Sequence, residues 1–152
     1  MLIYEELKSR IDLFYTDTDK FLTVLQISPA NDISISIDCD TSIYVEDCME
    51  LQSYLREIYG SDLDEYSLEV SSHGLGEPLL YFRQYVKVKD KLVIVNTTDG
   101  QEIEAKLTNV TENEGITLER NVSKTQQKKG IEKVIHLPFE SIKKISAVIL
   151  FK

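Results

Sequence analysis

Ser71, Ser72 and His73 set two hydroxyls beside an imidazole, the residue types of nucleophilic hydrolysis. Adjacent positions seldom give a working Ser-His pair, and no G-x-S-x-G elbow or orienting acid accompanies these three. Gly74-Leu75-Gly76 has the backbone freedom of a phosphate cradle. No third glycine follows at dinucleotide-binding spacing, however, and no Lys-Ser pair closes a Walker loop. Asp38-Cys39-Asp40, with Glu46 and Asp47 nearby, offers carboxylates to a metal. The glycine and terminal glutamate of a calcium loop are missing, and the two histidines, His73 and His136, are distant in the chain. A structural role fits each group better. The serines satisfy backbone groups at a strand end, Gly74 and Gly76 permit a bend, Pro78 fixes the direction in which the chain leaves it, and the carboxylates cap a helix start. Neither catalysis nor a cofactor or metal is expected.

The second chemistry on offer is phosphate binding. Lys124, Lys128, Lys129 and Lys133 lie in and beside one polar stretch, and Lys87, Lys89 and Lys91 precede a run of apolar residues. Each exposed lysine adds a small, salt-sensitive increment, so only a cluster matters. Tyr81, Phe82 and Tyr85 could stack on bases, although aromatics of this kind more often pack a joint. The formal charge of −9 argues against a polyanionic partner until its distribution is considered. Residues 1–80 hold four basic side chains against seventeen acidic ones, whereas residues 81–152 hold thirteen against nine. Opposite signs in the two halves suggest an acidic part suited to a basic protein and a mildly basic part suited to phosphate. The competing reading of the acidic half is a solvated surface kept for solubility. Cys39 and Cys48 are too few for a disulfide framework and match no zinc spacing. No apolar run reaches about eighteen residues and the start is acidic, so a cytoplasmic protein is expected.

These residues need elements to hold them. Ile3, Leu7, Ile11 and Phe14 recur at helical spacing and predict a helix over residues 2–15. Phe21, Thr23, Leu25 and Ile27 alternate as in a strand, and Ser28-Pro29-Ala30-Asn31-Asp32 turns the chain into Ile33, Ile35 and Ile37, which alternate with polar residues as the second arm of a hairpin. Val45, Cys48, Leu51, Leu55 and Ile58 return to the helical period, with Gly60 as the stop. Tyr66, Leu68 and Val70 form a third strand. The order helix, strand, strand, helix, strand makes an α+β layer with helices on one face of a three-stranded sheet. Beyond it come short strands at 92–96, 102–110, 116–119, 133–137 and 142–150, with an Asp99-Gly100 hairpin turn, a turn at Asn113-Glu114-Gly115 and a mobile loop over 121–130. Five such strands suit a small SH3-like or Sm-like barrel. The expected division is an acidic α+β domain over 1–75, a hinge over 76–86 built on Gly74, Gly76 and Pro78, and a barrel over 87–152.

Leu68-Glu69-Val70-Ser71-Ser72-His73-Gly74-Leu75-Gly76-Glu77-Pro78-Leu79, together with Asp38, Val45, Asp47 and Cys48, resembles the bacterial ribosome maturation factors of the RimP type, and the order of blocks fits along nearly the whole chain. The family usually reads L-E-V-S-S-P-G-L, two variable residues, then P-L. Here His73 takes the place of the common proline, Gly76-Glu77 stands where aspartate and a basic residue are usual, and Val88-Lys89-Asp90-Lys91 occupies the region of a glycine that usually precedes the first barrel strand. The resemblance implies an α+β domain joined to an SH3-like barrel, no enzymatic chemistry, and binding to the immature small ribosomal subunit; a monomer is expected. It further implies contact with a basic ribosomal protein near the decoding centre and with 16S rRNA. On that reading Asp38, Glu46, Asp47, Ser71, Ser72, Gly74 and Leu75 would meet the protein, and Lys87, Lys89, Lys91, Lys124, Lys128, Lys129 and Lys133 would meet RNA. A peptide-binding adaptor without RNA contact and a small hydrolase are the alternatives.

Overall fold

A computed structural model describes residues 2–74 and 76–148. The chain divides into two units, Met1–His73 and Gly74–Lys152.

The first unit is α1 (Tyr4–Phe14), β1 (Lys20–Ile27), β2 (Asp32–Cys39), α2 (Val45–Tyr59), a 3-10 turn (Gly60–Leu63) and β3 (Ser67–Ser72). β1 pairs antiparallel with β2, which pairs parallel with β3, so α2 serves as the crossover that a parallel pair requires. Ser28 builds the hairpin turn: its hydroxyl accepts from the backbone N–H groups of Ala30 (3.2 Å) and Asp32 (3.0 Å), and Asn31 takes the left-handed φ of 65° that asparagine tolerates. Alternation places Ile33, Ile35 and Ile37 on one sheet face, where Leu7 and Ile11 of α1 and Leu51 and Leu55 of α2 close over them in a single buried cluster. The register slips between Leu22 and Val24, so Thr23 is an extra residue in β1. Gly60 ends α2 at φ 54°, as its position in the sequence predicts.

The second unit contains α3 (Phe82–Lys87), β4 (Leu92–Thr97), β5 (Glu102–Thr111), β6 (Gly115–Glu119), α4 (Lys124–Lys128), β7 (Val134–Leu137), a 3-10 turn (Phe139–Ser141) and β8 (Ile142–Ala147). Its strands form one antiparallel sheet in the order β7-β6-β5-β4-β8. Val93, Val95, Ile103, Ala105, Leu107, Ile116, Leu118 and Ile145 project to the core side, joined by Tyr85 and Val88 from the end of α3. Gly115 is obligatory at the start of β6. It sits at φ 113°, and a Cβ there would fall 2.1 Å from the carbonyl oxygen of Leu137.

The fold departs from the sequence expectation at several points. Phe82–Lys87 is helical across the end of the stretch read as hinge, because the Gln84 amide oxygen accepts from the N–H groups of Leu80 (2.8 Å) and Tyr81 (3.1 Å) and starts a helix too short to show periodicity. The stretch 121–130, expected as a mobile loop, carries α4, capped at both ends. Ile3, Val45 and Ile58 belong to the helical apolar pattern but are exposed. The predicted final strand reaches Ala147, and its last two positions, 149 and 150, lie outside the described residues.

Candidate nucleic-acid interface and acidic surface

Antiparallel register decides which charges of the second unit meet. Leu92 on β4 stands opposite Lys106 on β5, Lys106 opposite Glu119 on β6, and Glu119 opposite Val134 on β7. Residues in one cross-strand row share a face, and all four of these are exposed while their neighbours Val93, Ala105 and Leu118 are buried. The row therefore lies on the face turned away from the core. A cleft of about 680 Å³ opens on it, lined by the basic Lys106, Arg120 and Lys133, the acidic Glu104 and Glu119, and Leu92 among others.

Arg120 is held at the rim by two bonds to the facing segment: its Nε donates to the Glu132 carbonyl (3.1 Å) and its backbone N–H to the Lys133 carbonyl (2.7 Å). Lys133 lies 3.7 Å from Glu119, an exposed pair that a phosphate could displace at little cost. Above the cleft, Ser123 caps α4 by accepting from the Gln126 N–H (3.1 Å), and Gln126 Oε1 accepts from the Ser123 N–H (2.9 Å). At the other end Ile131 N–H bonds the Gln126 carbonyl and Gly130 N–H the Gln127 carbonyl, both at 3.1 Å, with Gly130 at φ 89°. That is a Schellman stop. Two caps thus fix a five-residue helix against the cleft and carry the exposed Lys124, Lys128 and Lys129 with it.

Of the lysines picked out by sequence, Lys133 lines the cleft and Lys91 immediately precedes its lining residue Leu92. Lys124, Lys128 and Lys129 flank it on α4. Lys87, half-buried in the last turn of α3, and Lys89, exposed just after it, are not among the lining residues. Sequence reasoning missed Lys106 and Arg120. The signal was present: Glu102, Glu104 and Lys106 alternate with Ile103, Ala105 and Leu107, which marks Lys106 as outward-facing. The aromatic residues divide. Tyr85 is buried, its phenol pKa pushed up by burial, and it packs edge-on to Phe139 at 5.3 Å. It belongs to the core and offers no face to a base.

In the first unit the acidic candidates also divide. Asp38 is buried at 5% exposure, and its carboxylate accepts from the Cys39 N–H at 2.8 Å, so it is no part of the exposed acidic surface. Asp47 does what a third-position acid does in a capping box, accepting from the Tyr44 N–H at 2.9 Å, and it lies 3.4 Å from Lys20. Glu46 is exposed. Nearby, the Cys39 thiol and the Thr41 hydroxyl hold the Asp19 carboxyl below the usual carboxylate range. Ser71 and Ser72 end β3 at the surface, with Ser71 Oγ 3.4 Å from the Ile35 carbonyl. The Nδ1 of His73 lies 3.2 Å from the Thr23 hydroxyl, so the imidazole is engaged with the extra residue of β1. Gly74 is exposed and closes a turn through its carbonyl to the Glu77 N–H (3.1 Å); Leu75 falls outside the described residues. Among the described residues no group of three or more His, Cys, Asp and Glu could hold a metal ion, and no helix is long and apolar enough to cross a membrane.

No family model matches the chain. Among curated proteins it is similar to the ribosome maturation factor RimP of Flavobacterium psychrophilum, 31% identical over 136 residues that cover 86% of each chain. The chain belongs to the RimP family. Further similarity joins it to the ribosome maturation factor RimP of Cytophaga hutchinsonii, 29% identical over 164 aligned positions spanning 97% of this chain and 96% of that one. The RimP of Porphyromonas gingivalis is 29% identical over 110 residues, 72% of each. The Cytophaga match runs through both units, so the RimP likeness covers the acidic α+β unit as well as the sheet that bears the cleft.

Proposed function

We propose that this chain is a ribosome maturation factor, without enzymatic activity, that binds the immature small subunit in the cytoplasm and assists its assembly. The five-stranded unit, which we read as an SH3-like barrel, meets 16S rRNA through the cleft. Arg120, Lys106 and Lys133 supply phosphate contacts there, Lys91, Lys124, Lys128 and Lys129 extend them, and Lys87 and Lys89 lie at their margin. The acidic unit meets a basic ribosomal protein through Glu46, the Asp47 region and the strand end at Ser71, Ser72 and Gly74. Gly74, Gly76 and Pro78 set the hinge between the two contacts. The observation that carries the RNA part of this reading is the gathering of Lys106, Arg120 and Lys133 at one cleft, where they outnumber its two glutamates, in a chain whose net charge is −9. Complementary surfaces of opposite sign suit a target made of both RNA and basic protein. Chemistry is not required for such work: a factor that binds one conformer of an assembling particle better than another shifts the population toward it.

Gradient sedimentation of native lysate tests the proposal. The chain is expected to co-migrate with free small subunits and not with complete ribosomes, acting as a monomer. Charge reversal at Lys124, Lys128 and Lys129 is expected to weaken that association and flatten its salt dependence. Migration only as a free small protein would overturn the proposal. Association unaffected by the charge reversal would favour a protein-only adaptor.

A further inference from the structure

The apolar periodicity of α2 overruns the face that the helix buries. Leu51 and Leu55 are fully buried, yet Val45 is 72% exposed, Met49 61%, and Tyr44, the residue just before the helix, 63%. Val45 and Met49 are four residues apart and stack on one stripe of the helix surface, while Glu46 and Glu50, both exposed, form the adjoining stripe at the same spacing. Asp47 is turned to a different task, capping the helix. Isolated surface hydrophobics are ordinary; three large ones within the first six positions of one helix entrance, two of them on one stripe, mark a contact surface.

We infer that the entrance of α2 is the docking face for a Lys- and Arg-rich protein segment that carries an apolar anchor. This rests on the reading that the acidic unit meets a basic ribosomal protein, and it says where. Tyr44, Val45 and Met49 supply the apolar area whose desolvation gives affinity, and Glu46 and Glu50 supply the charges that steer and orient a basic partner. The same two glutamates argue against other occupants. They repel RNA phosphate and anionic lipid, and a two-fold contact with a second copy would set the acidic stripe against itself. The unit around the patch is acidic throughout, with sixteen acidic side chains against four basic ones in Met1–His73, so the long-range field draws the same partner.

The test uses the full chain with p-benzoylphenylalanine in place of Tyr44, irradiated within assembling small subunits taken from a gradient, the cross-linked species being identified by mass spectrometry. The expected result is a cross-link to one Lys- and Arg-rich ribosomal protein. Its yield should fall about ten-fold in V45S/M49S, as for removal of a central anchor, and comparably in E46K/E50K. L13S, which alters an equally exposed residue on α1, should leave it unchanged. The two serine replacements lie at exposed positions, so the fold is retained. A cross-link to rRNA or to a second copy, or none while co-migration persists, overturns the docking face and leaves the maturation reading standing. Loss of co-migration in the unmodified chain overturns both.

Discussion

The two units solve one problem, burying a single face of a small sheet, by different means. In Met1–His73 two helices of eleven and fifteen residues cover Ile33, Ile35 and Ile37. In Gly74–Lys152 the strands' own side chains make most of the core, joined by Tyr85 of a six-residue helix, Val88 just after it, and Leu79 and Phe139 from the connections. The surfaces differ in a parallel way. The first unit is acidic by composition, sixteen against four. The second is almost balanced, thirteen basic side chains against ten acidic, and it is strand register that gathers Lys106, Arg120 and Lys133 at one cleft, beside Glu104 and Glu119. Net charge describes the first surface adequately and misdescribes the second, where what matters is which residues stand opposite one another.

That contrast is most easily broken at Gly115. A methyl group there would meet the Leu137 carbonyl and the Pro138 backbone, which cannot move aside as a side-chain tip can. Gly115→Ala is expected to destabilise the second unit by about 3 kcal/mol or more, from backbone strain and close contact. Hydrogen exchange should then rise in β6 and β7, and unchanged protection there would show that the tight approach is not structural. A comparable loss, about 3 kcal/mol from the cavity left behind, is expected for Ile37→Ala, with the faster exchange located in β1 to β3. If either substitution loosens the other unit's strands first, the assignment of separate cores fails.

Lys106→Glu with Arg120→Glu sharpens the comparison of surfaces. Two lost phosphate contacts should flatten the log-affinity against log-salt slope by roughly 1.4 for single-stranded RNA. Glu46→Lys should leave RNA binding weakened by nothing and should, if anything, strengthen it. A filter-binding titration of both variants against rRNA fragments separates these outcomes.

Much of this was legible in the sequence, for physical reasons that also explain the gaps. Apolar residues three and four apart foretold α1 and α2, and strict alternation foretold β2, because those patterns extend over several turns or pairs. Short elements carry no period. α3 and α4 are set by capping side chains, Gln84 in one and Ser123 with Gln126 in the other, and a six- or five-residue helix repeats nothing. Asp38 illustrates a different gap: acidity is visible in a sequence, burial of the acid is not. The outward direction of Lys106 was legible in the alternation over 102–107, but which charges it and Arg120 stand beside is set by strand register, which emerges only when the strands pair.

Smaller effects follow from the turns of the first unit. Asp47→Ala removes the reach-back cap of α2 and should cost about 1 kcal/mol, read as a lowered midpoint in urea. For Asp19 the folded pKa lies below its ordinary value, so ionisation favours the native state above that ordinary value, near 3.9, and this favour is lost as pH falls through the lowered pKa. Asp19→Asn should therefore lower stability slightly at neutral pH, converge with the parent chain in acid, and so flatten the acid limb of the stability profile below about pH 4. An unchanged acid limb would remove the thiol and hydroxyl of Cys39 and Thr41 as the cause.

On the proposed reading the labour is divided, RNA at the second unit and basic protein at the first. Ultraviolet cross-linking of the full chain within assembling small subunits, with the RNA-linked peptides mapped by mass spectrometry, tests it most directly. RNA-linked peptides are expected from the stretch 87–133, centred on Lys106, Arg120 and the α4 lysines. RNA-linked peptides drawn chiefly from residues 2–73 would contradict it.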